Sequence, residues 1–257
     1  MIFSRSSSNA ISLIQEAIPK ISKLIIIGGD GTINVAITAL LKLDSHITIG
    51  IIPMGTVNNF AKHHNIPTKP KEAIDLICNS NKVHTVGIAV CNHSKPIISS
   101  LAFGNLTDIS NEVRQSEKRY FGPLVYIYKG IKHIGHNKSF LVTYEFDKSN
   151  VRTLKTWFCL LTTTNSIGGI KYNDTNARGI YISILNNIKI SKVVPYIWFM
   201  LTGKLQKSKS VTQESAYNVT IKSDSSYEIN TRIDGDPSVS LPIYINYLDK
   251  YIHLIKP

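Results

Sequence analysis

The sequence predicts an α/β domain over residues 1–89 followed by a larger, mainly β domain over 90–257, sandwich-like in its layering. Three observations lead there. Short runs that are apolar throughout alternate with helically spaced segments up to about Val86; strand-like runs dominate after about Cys91; and two of the early apolar runs end in polar, glycine-bearing loops. A chain of 257 residues is long enough for one large domain or two modest ones with real cores.

In chain order, "NAISLIQEAIPKI" has helical spacing, "KLIIIGG" is an all-apolar strand, "NVAITALLKL" is helical, and "ITIGIIP" is a second buried strand. A short helix follows the second loop, and "PKEAIDLICNS" is a helix opened by Pro70. Strands apolar on both faces and alternating with helices imply a parallel sheet covered on both sides. Beyond residue 90, "SFLVTYEF", "TWFCLLTTT", "GIYISIL", "YNVTIKS" and "PIYINYL" read as strands, and "GPLVYIYKGIKHI" as a helix. The last residues have room to return and pack on the first domain.

With 43% apolar residues and a mean hydropathy near zero, the chain reads as folded and soluble. Lys and Arg number 29 against 17 acids, a formal charge of +12 that favours a polyanionic partner or an anionic membrane surface. No nucleic-acid motif accompanies that charge. Three widely spaced cysteines, Cys78, Cys91 and Cys159, suit a reducing compartment and neither a disulfide framework nor a cysteine zinc site. The first residues lack a signal-peptide pattern, and "VVPYIWFMLTG" is too short to span a bilayer, so a cytoplasmic location with peripheral membrane contact is expected.

The two loops carry the chemistry. "GGDGT", residues 28–32, follows an apolar strand and opens a helix, an arrangement in which glycines let backbone N–H groups approach a phosphate. An aspartate there repels phosphate unless it holds a metal or water or orients a hydroxyl, so Asp30 points to nucleotide with magnesium. Pro53, Gly55, Thr56 and Asn58 repeat the design after the second strand, and two such loops on one sheet edge can form one site. "RIDGDP", residues 232–237, reads on its own as a hairpin turn. His63 and His64, with no partner pattern for a metal, are expected to be solvated.

"GGDGTIN" with "PMGTVNNFA" resembles the diacylglycerol kinase catalytic family, in its bacterial lipid-kinase branch; "EKRYFGPLVYIYKGIKHI", "TNSIGG" and "RIDGDP" continue the likeness in order. The resemblance implies ATP bound in a cleft between the domains and its γ-phosphoryl group passed to a lipid hydroxyl, of diacylglycerol or a similar lipid, with Mg²⁺ as cofactor. By position, Gly28, Gly29, Asp30, Gly31, Thr32 and Asn34 would cradle phosphates and Gly55, Thr56 and Asn58 would form the second nucleotide loop. Asp30 would meet the metal through Mg-ATP. Asp234 would be the proton-accepting base, with Asp236 beside it in the catalytic pair. Lys118, Arg119, Lys204, Lys207 and Lys209 would draw the lipid domain to anionic headgroups.

Departures from the family pattern are as informative. Asn59, Thr85 and Val35 stand at positions where the family is acidic, and Arg178-Gly179 stands at its structural metal loop. Only 27 residues precede Gly28, so the family's first strand and helix have no counterpart, through loss or an upstream start, and the sheet edge is open to a partner subunit, a homodimer among the arrangements. Two alternatives stay beside the lipid kinase: a degenerate kinase-like protein that binds nucleotide or lipid without turnover, and a soluble NAD kinase-like enzyme.

Overall fold

The structure is a computed structural model that describes residues 4–80, 82–105, 139–164, 166–167, 170–171, 179–186, 211–226 and 228–257. Helix α1 (Ser7–Ala17) starts where the Ser6 hydroxyl accepts from the Asn9 N–H and runs into a single 3-10 turn, Ile18–Lys20. Strand β1 (Lys23–Gly28) leads into α2 (Asp30–Leu43), which ends on Asp44 in the left-handed conformation. Strand β2 (Thr48–Pro53), the short helix α3 (Asn59–His63) and α4 (Pro70–Asn79) complete the first half.

The second half is built from β3 (Val83–Cys91), β4 (Lys95–Ile97), β5 (Ser100–Gly104), β6 (Phe140–Phe146), β7 (Asn150–Thr156) and β8 (Phe158–Thr162). Then follow β9 (Ser166–Ile167), β10 (Ile170–Lys171), β11 (Ile180–Leu185), β12 (Val211–Ala216), β13 (Asn218–Ser223), β14 (Asn230–Ile233), β15 (Asp236–Ser240) and β16 (Ile243–Ile255). The expected helix over "GPLVYIYKGIKHI" and the apolar stretch 193–203 lie outside the described residues.

Among the described residues the strands form one sheet of order β1-β2-β16-β13-β6-β7, to which β3 and β4 are joined through β16, an antiparallel sheet of order β12-β11-β8-β5-β14-β15, and the small β9-β10 pair. β1 and β2 are parallel from Lys23↔Thr48 to Gly28↔Pro53, as the alternating texture predicts. The next neighbour is the far end of the chain's last strand, with Leu254 of β16 paired in parallel to Ile49.

β16 is long because it serves both halves. Its first part pairs with β13, its whole length follows β3, and the ladder shifts between Leu248 and Ile252, where Lys250 is left-handed. That irregularity bends the strand from one half into the other. β3 divides its faces in the same way: Ala89 and Cys91 join the core between the two sheets, while Ile88 and Val90 join the core beneath α2. The domain boundary expected at 89/90 falls inside this strand.

One expectation fails at the sheet edge. The all-apolar run predicts β1 buried on both faces, yet Ile25 is 39% and Ile27 50% exposed. On that face α4 packs over β2, where Gly50 leaves room for Ile77 and Ile25. On the opposite face Ile26 is buried under α2 with Ile33, Ile37 and Leu40. Ile37 has no exposed surface, so Ile37→Ala is expected to cost about 2–5 kcal/mol and to lower the melting temperature by several degrees, measured by calorimetry.

Candidate active site

The β1–β2 ladder does not stop at the strands. The Met54 N–H donates to the Gly28 carbonyl at 2.9 Å, so the two loops leave the sheet side by side. At their closest point they touch backbone to backbone: a Cβ built on Gly55 would lie 2.5 Å from the Gly29 Cα, and one on Gly29 would lie 2.8 Å from the Gly55 Cα. These two glycines are required by proximity. Asn58, left-handed at φ 55°, closes the second loop on itself, its Oδ1 accepting from the Gly55 N–H at 2.9 Å and its Nδ2 donating to the Gly55 carbonyl at 2.8 Å.

Asp30, at the first position of α2, spans the same gap. Its Oδ2 accepts from the Asn59 N–H at 2.9 Å and its Oδ1 from the Phe60 N–H at 3.0 Å. The carboxylate thus satisfies the first N–H groups of α3 and binds the second loop to the first. The Asn59 side chain is 7% exposed, and its Oδ1 has no hydrogen-bond partner. Thr32 and Thr56 face solvent, and Thr32 Oγ1 lies where a side chain on Gly28 would be.

Asp234 is the first residue of the two-residue loop joining β14 to β15, left-handed at φ 52° and followed by Gly235 at φ 94°. The bare-sequence reading of "RIDGDP" as a hairpin is therefore correct, and the Asp-Gly order is what such a loop needs. Its carboxylate is at the same time the most heavily bonded group of the site. Oδ1 accepts from Ser99 N at 2.7 Å, Ser100 N at 3.0 Å and Ser99 Oγ at 3.2 Å; Oδ2 accepts from Ile98 N at 3.0 Å and Asn34 Nδ2 at 2.9 Å. Burial pushes the Asp234 carboxyl up from the usual aspartate range, and the N–H donors of 98–100 and Asn34 pull against it.

Asn34 is the surprise of the first motif. Its amide does not turn toward the loop of residues 28–32: Nδ2 donates to Asp234 and to the Pro96 carbonyl at 3.0 Å, and Oδ1 lies 3.4 Å from Thr38 Oγ1. It lies one turn beyond Asp30, about 6 Å along α2, so that helix runs from the glycine loops to Asp234. Asp236 opens β15, exposed and paired in register with Ile233.

The site does not fit a magnesium ion held by the protein's own carboxylates. Asp30 spends one lone pair of each oxygen on a backbone N–H, Asn59 offers only an amide, and no group of three His, Cys, Asp or Glu side chains suited to a metal occurs among the described residues, so Asp30 stands without a second carboxylate. Lys118, Arg119, Arg178, Lys204, Lys207 and Lys209, the whole of "EKRYFGPLVYIYKGIKHI", and Asn165, Gly168 and Gly169 of "TNSIGG" lie outside the described residues.

His63 and His64 depart from expectation. Instead of being solvated they line, with Phe60, Ile98, Thr163 and Tyr247 among others, a cavity of about 20 Å³. Phe60 packs edge-on against His64 at 4.4 Å between ring centroids, and His63 and His64 are 4.7 Å apart. Burial of the short helix's last turn is the cause, and spacing alone could not reveal it. Gly87 opens room for the Tyr247 hydroxyl beside them.

With the geometry in hand, three comparisons bear on family. Residues 2–91 match the model of the diacylglycerol kinase catalytic domain. A diacylglycerol kinase of Staphylococcus carnosus is 29% identical over 238 residues, covering 91% of this chain and 76% of the relative. Over its first third the chain is thus similar to the diacylglycerol kinase catalytic domain, and over most of its length to bacterial diacylglycerol kinases. A diacylglycerol kinase of Staphylococcus epidermidis is 27% identical over 91% of the chain. In fold, the chain is similar to a candidate diacylglycerol kinase structure from Bacillus anthracis over 99% of this chain and 83% of that one, with TM-score 0.82 and 22% identity. An NAD kinase of Archaeoglobus fulgidus in complex with ATP is similar at TM-score 0.54 and 13% identity, over 94% of this chain and 80% of that one.

Two outcomes follow. Gly55→Ala drives a methyl into the Gly29 backbone, so the loops must part; a melting temperature several degrees lower and at least tenfold weaker binding of ATP by titration calorimetry are expected. The His64 pKa is held well below 6.5 by burial, then by the charges of His63 and Lys256. A lowered histidine contributes stability above 6.5 that is lost as pH falls through the folded value. Urea unfolding between pH 7.5 and 5 should show stability falling with acidity below about pH 6.5, with a shallower fall in His64→Leu.

Proposed function

We propose that this protein is an ATP-dependent lipid kinase that transfers the γ-phosphoryl group of ATP to the hydroxyl of diacylglycerol or a similar lipid. The observation that carries this reading is a half-buried, densely hydrogen-bonded carboxylate, Asp234, reached from the paired glycine loops by one turn of α2. The loops offer backbone N–H groups and the positive end of a 14-residue helix to the phosphates. Phosphoryl transfer demands positioning and charge stabilisation above all. Asp234 supplies the proton acceptor for the lipid hydroxyl, and Asp236 stands two residues on. Magnesium comes with the triphosphate rather than on a protein carboxylate.

The names carried by the Staphylococcus relatives support the lipid acceptor. No helix among the described residues is long and apolar enough to cross a membrane, so the acceptor is met at the surface, where the net charge of +12 attracts anionic headgroups. The exposed edge of β1 leaves a homodimer as a further arrangement of this reading.

A second reading, binding of nucleotide or lipid without turnover, is favoured by one observation: the Asp234 oxygens already accept five hydrogen bonds. The test is transfer of labelled γ-phosphate from Mg-ATP into a chloroform-extractable product, with vesicles of diacylglycerol and phosphatidylglycerol. Transfer by the wild type and its loss in Asp234→Asn, with ATP affinity retained, is the expected result. ATP binding without transfer to any long-chain alcohol would leave the second reading standing.

A further inference from the structure

The Asp234 carboxylate is full. Its two oxygens offer about four lone-pair sites, and five donors converge on them: three on Oδ1 and two on Oδ2. A proton leaving a hydroxyl has no lone pair to enter. The donors are not equally fixed. Three are successive backbone N–H groups of Ile98, Ser99 and Ser100, held by the turn between β4 and β5, which Asp234 itself anchors through its own N–H to the Ser100 carbonyl at 2.8 Å. Only the Ser99 hydroxyl and the Asn34 amide are side-chain donors, and only Asn34 occupies Oδ2 from the helix that carries the glycine loops.

We infer that Asn34 is a positioning residue that guards the proton acceptor: its amide holds Asp234 Oδ2 in the resting arrangement and yields that place to the acceptor hydroxyl. This rests on the kinase reading above. In the step, the hydroxyl oxygen forms its bond to the γ-phosphorus while its proton passes to Asp234 Oδ2, and the bond from the γ-phosphorus to the bridging oxygen breaks with its electron pair leaving on ADP. Asn34 Nδ2 carries two N–H groups; one stays on the Pro96 carbonyl, 3.0 Å away, so the displaced amide keeps one partner and gives up one bond. The charged groups around Asp234 are Asp236 and Arg232 on its own hairpin, Asp30 one turn earlier on α2, and Lys95 on β4; none of the five donors is charged.

The consequence is a signature that a merely structural asparagine lacks. The Asn34 hydrogen bond favours the ionised form of Asp234. In Asn34→Ala the acidic limb of the kcat/KM profile should therefore move to higher pH, so that activity at the acid end falls roughly three- to tenfold further below the plateau than in the wild type. Asn34→Ser, which keeps a donor, should restore part of the shift. Since Asn34→Ala also removes the contact to Pro96 and risks misfolding, Ser99→Ala is measured beside it: it strips a donor from Oδ1 and leaves Asn34 in place. A displaced limb in Ser99→Ala smaller than in Asn34→Ala agrees with the inference, whereas equal displacement would remove any special place for Asn34. A folded Asn34→Ala whose profile superimposes on the wild type overturns it. The ¹³C titration of Asp234 in aspartate-labelled protein, wild type and Asn34→Ala, gives the same answer without turnover. Absence of transfer in the wild type would refute the kinase reading, while an unmoved ¹³C titration would refute the role of Asn34.

Discussion

The hydrogen bonds around Asp234 are the constraint on which the arrangement of the molecule depends. A carboxylate withdrawn from water costs several kcal/mol, and hydrogen bonds to a charged group return roughly 1.5–3 kcal/mol each. One or two would not hold it inside. The donors come from two separate places, α2 and the turn between β4 and β5, and the carboxylate from a third, the β14–β15 hairpin, so the ion is stable only while all three are assembled. The same bonds that hold the half-buried Asp234 fix α2 against the second half of the chain.

Connection by a single ion would be fragile if the two halves were otherwise independent, and they are not. β3 turns alternate residues into two different cores, and β16 passes from one to the other across its irregularity at Lys250. The glycine loops, on β1 and β2, are therefore joined through one continuous sheet to the strands beneath Asp234. Side-chain packing sets the distance between the halves, and the carboxylate sets their register.

Much of this was legible in the residues. "KLIIIGGDGT" and "ITIGIIPMGT" read as parallel strands ending in glycine loops because all-apolar runs followed by Gly and a polar helix start have few other solutions. "SFLVTYEF" alternates and became β6 with Phe140, Val142, Tyr144 and Phe146 inward. What failed depended on partners far along the chain. "DKYIHLI" hid the extension of β16 behind two charged residues that form the irregularity. "NVRTLKT" and "VTQESA" are polar enough to pass for loops, and they are edge strands, with one face or more in water. The helix capped by Asp30 was expected, but not that Asp30 would cap it, since the partners lie 29 and 30 residues away.

The same distance explains why motif and mechanism separate at the first loop. An aspartate among glycines invites a metal, because nothing local offers it a hydrogen bond. In the folded chain α3 does, and the pair of N–H groups it presents does the work of a cation: it lets a negative charge sit where phosphate oxygens must also come. Asn59 then matters for what it lacks. A carboxylate in its place would bury a second negative charge at the helix start whose N–H groups Asp30 already uses. With an amide there, the charge of Asp30 is balanced by backbone alone, and the loops hold their shape before any ligand arrives.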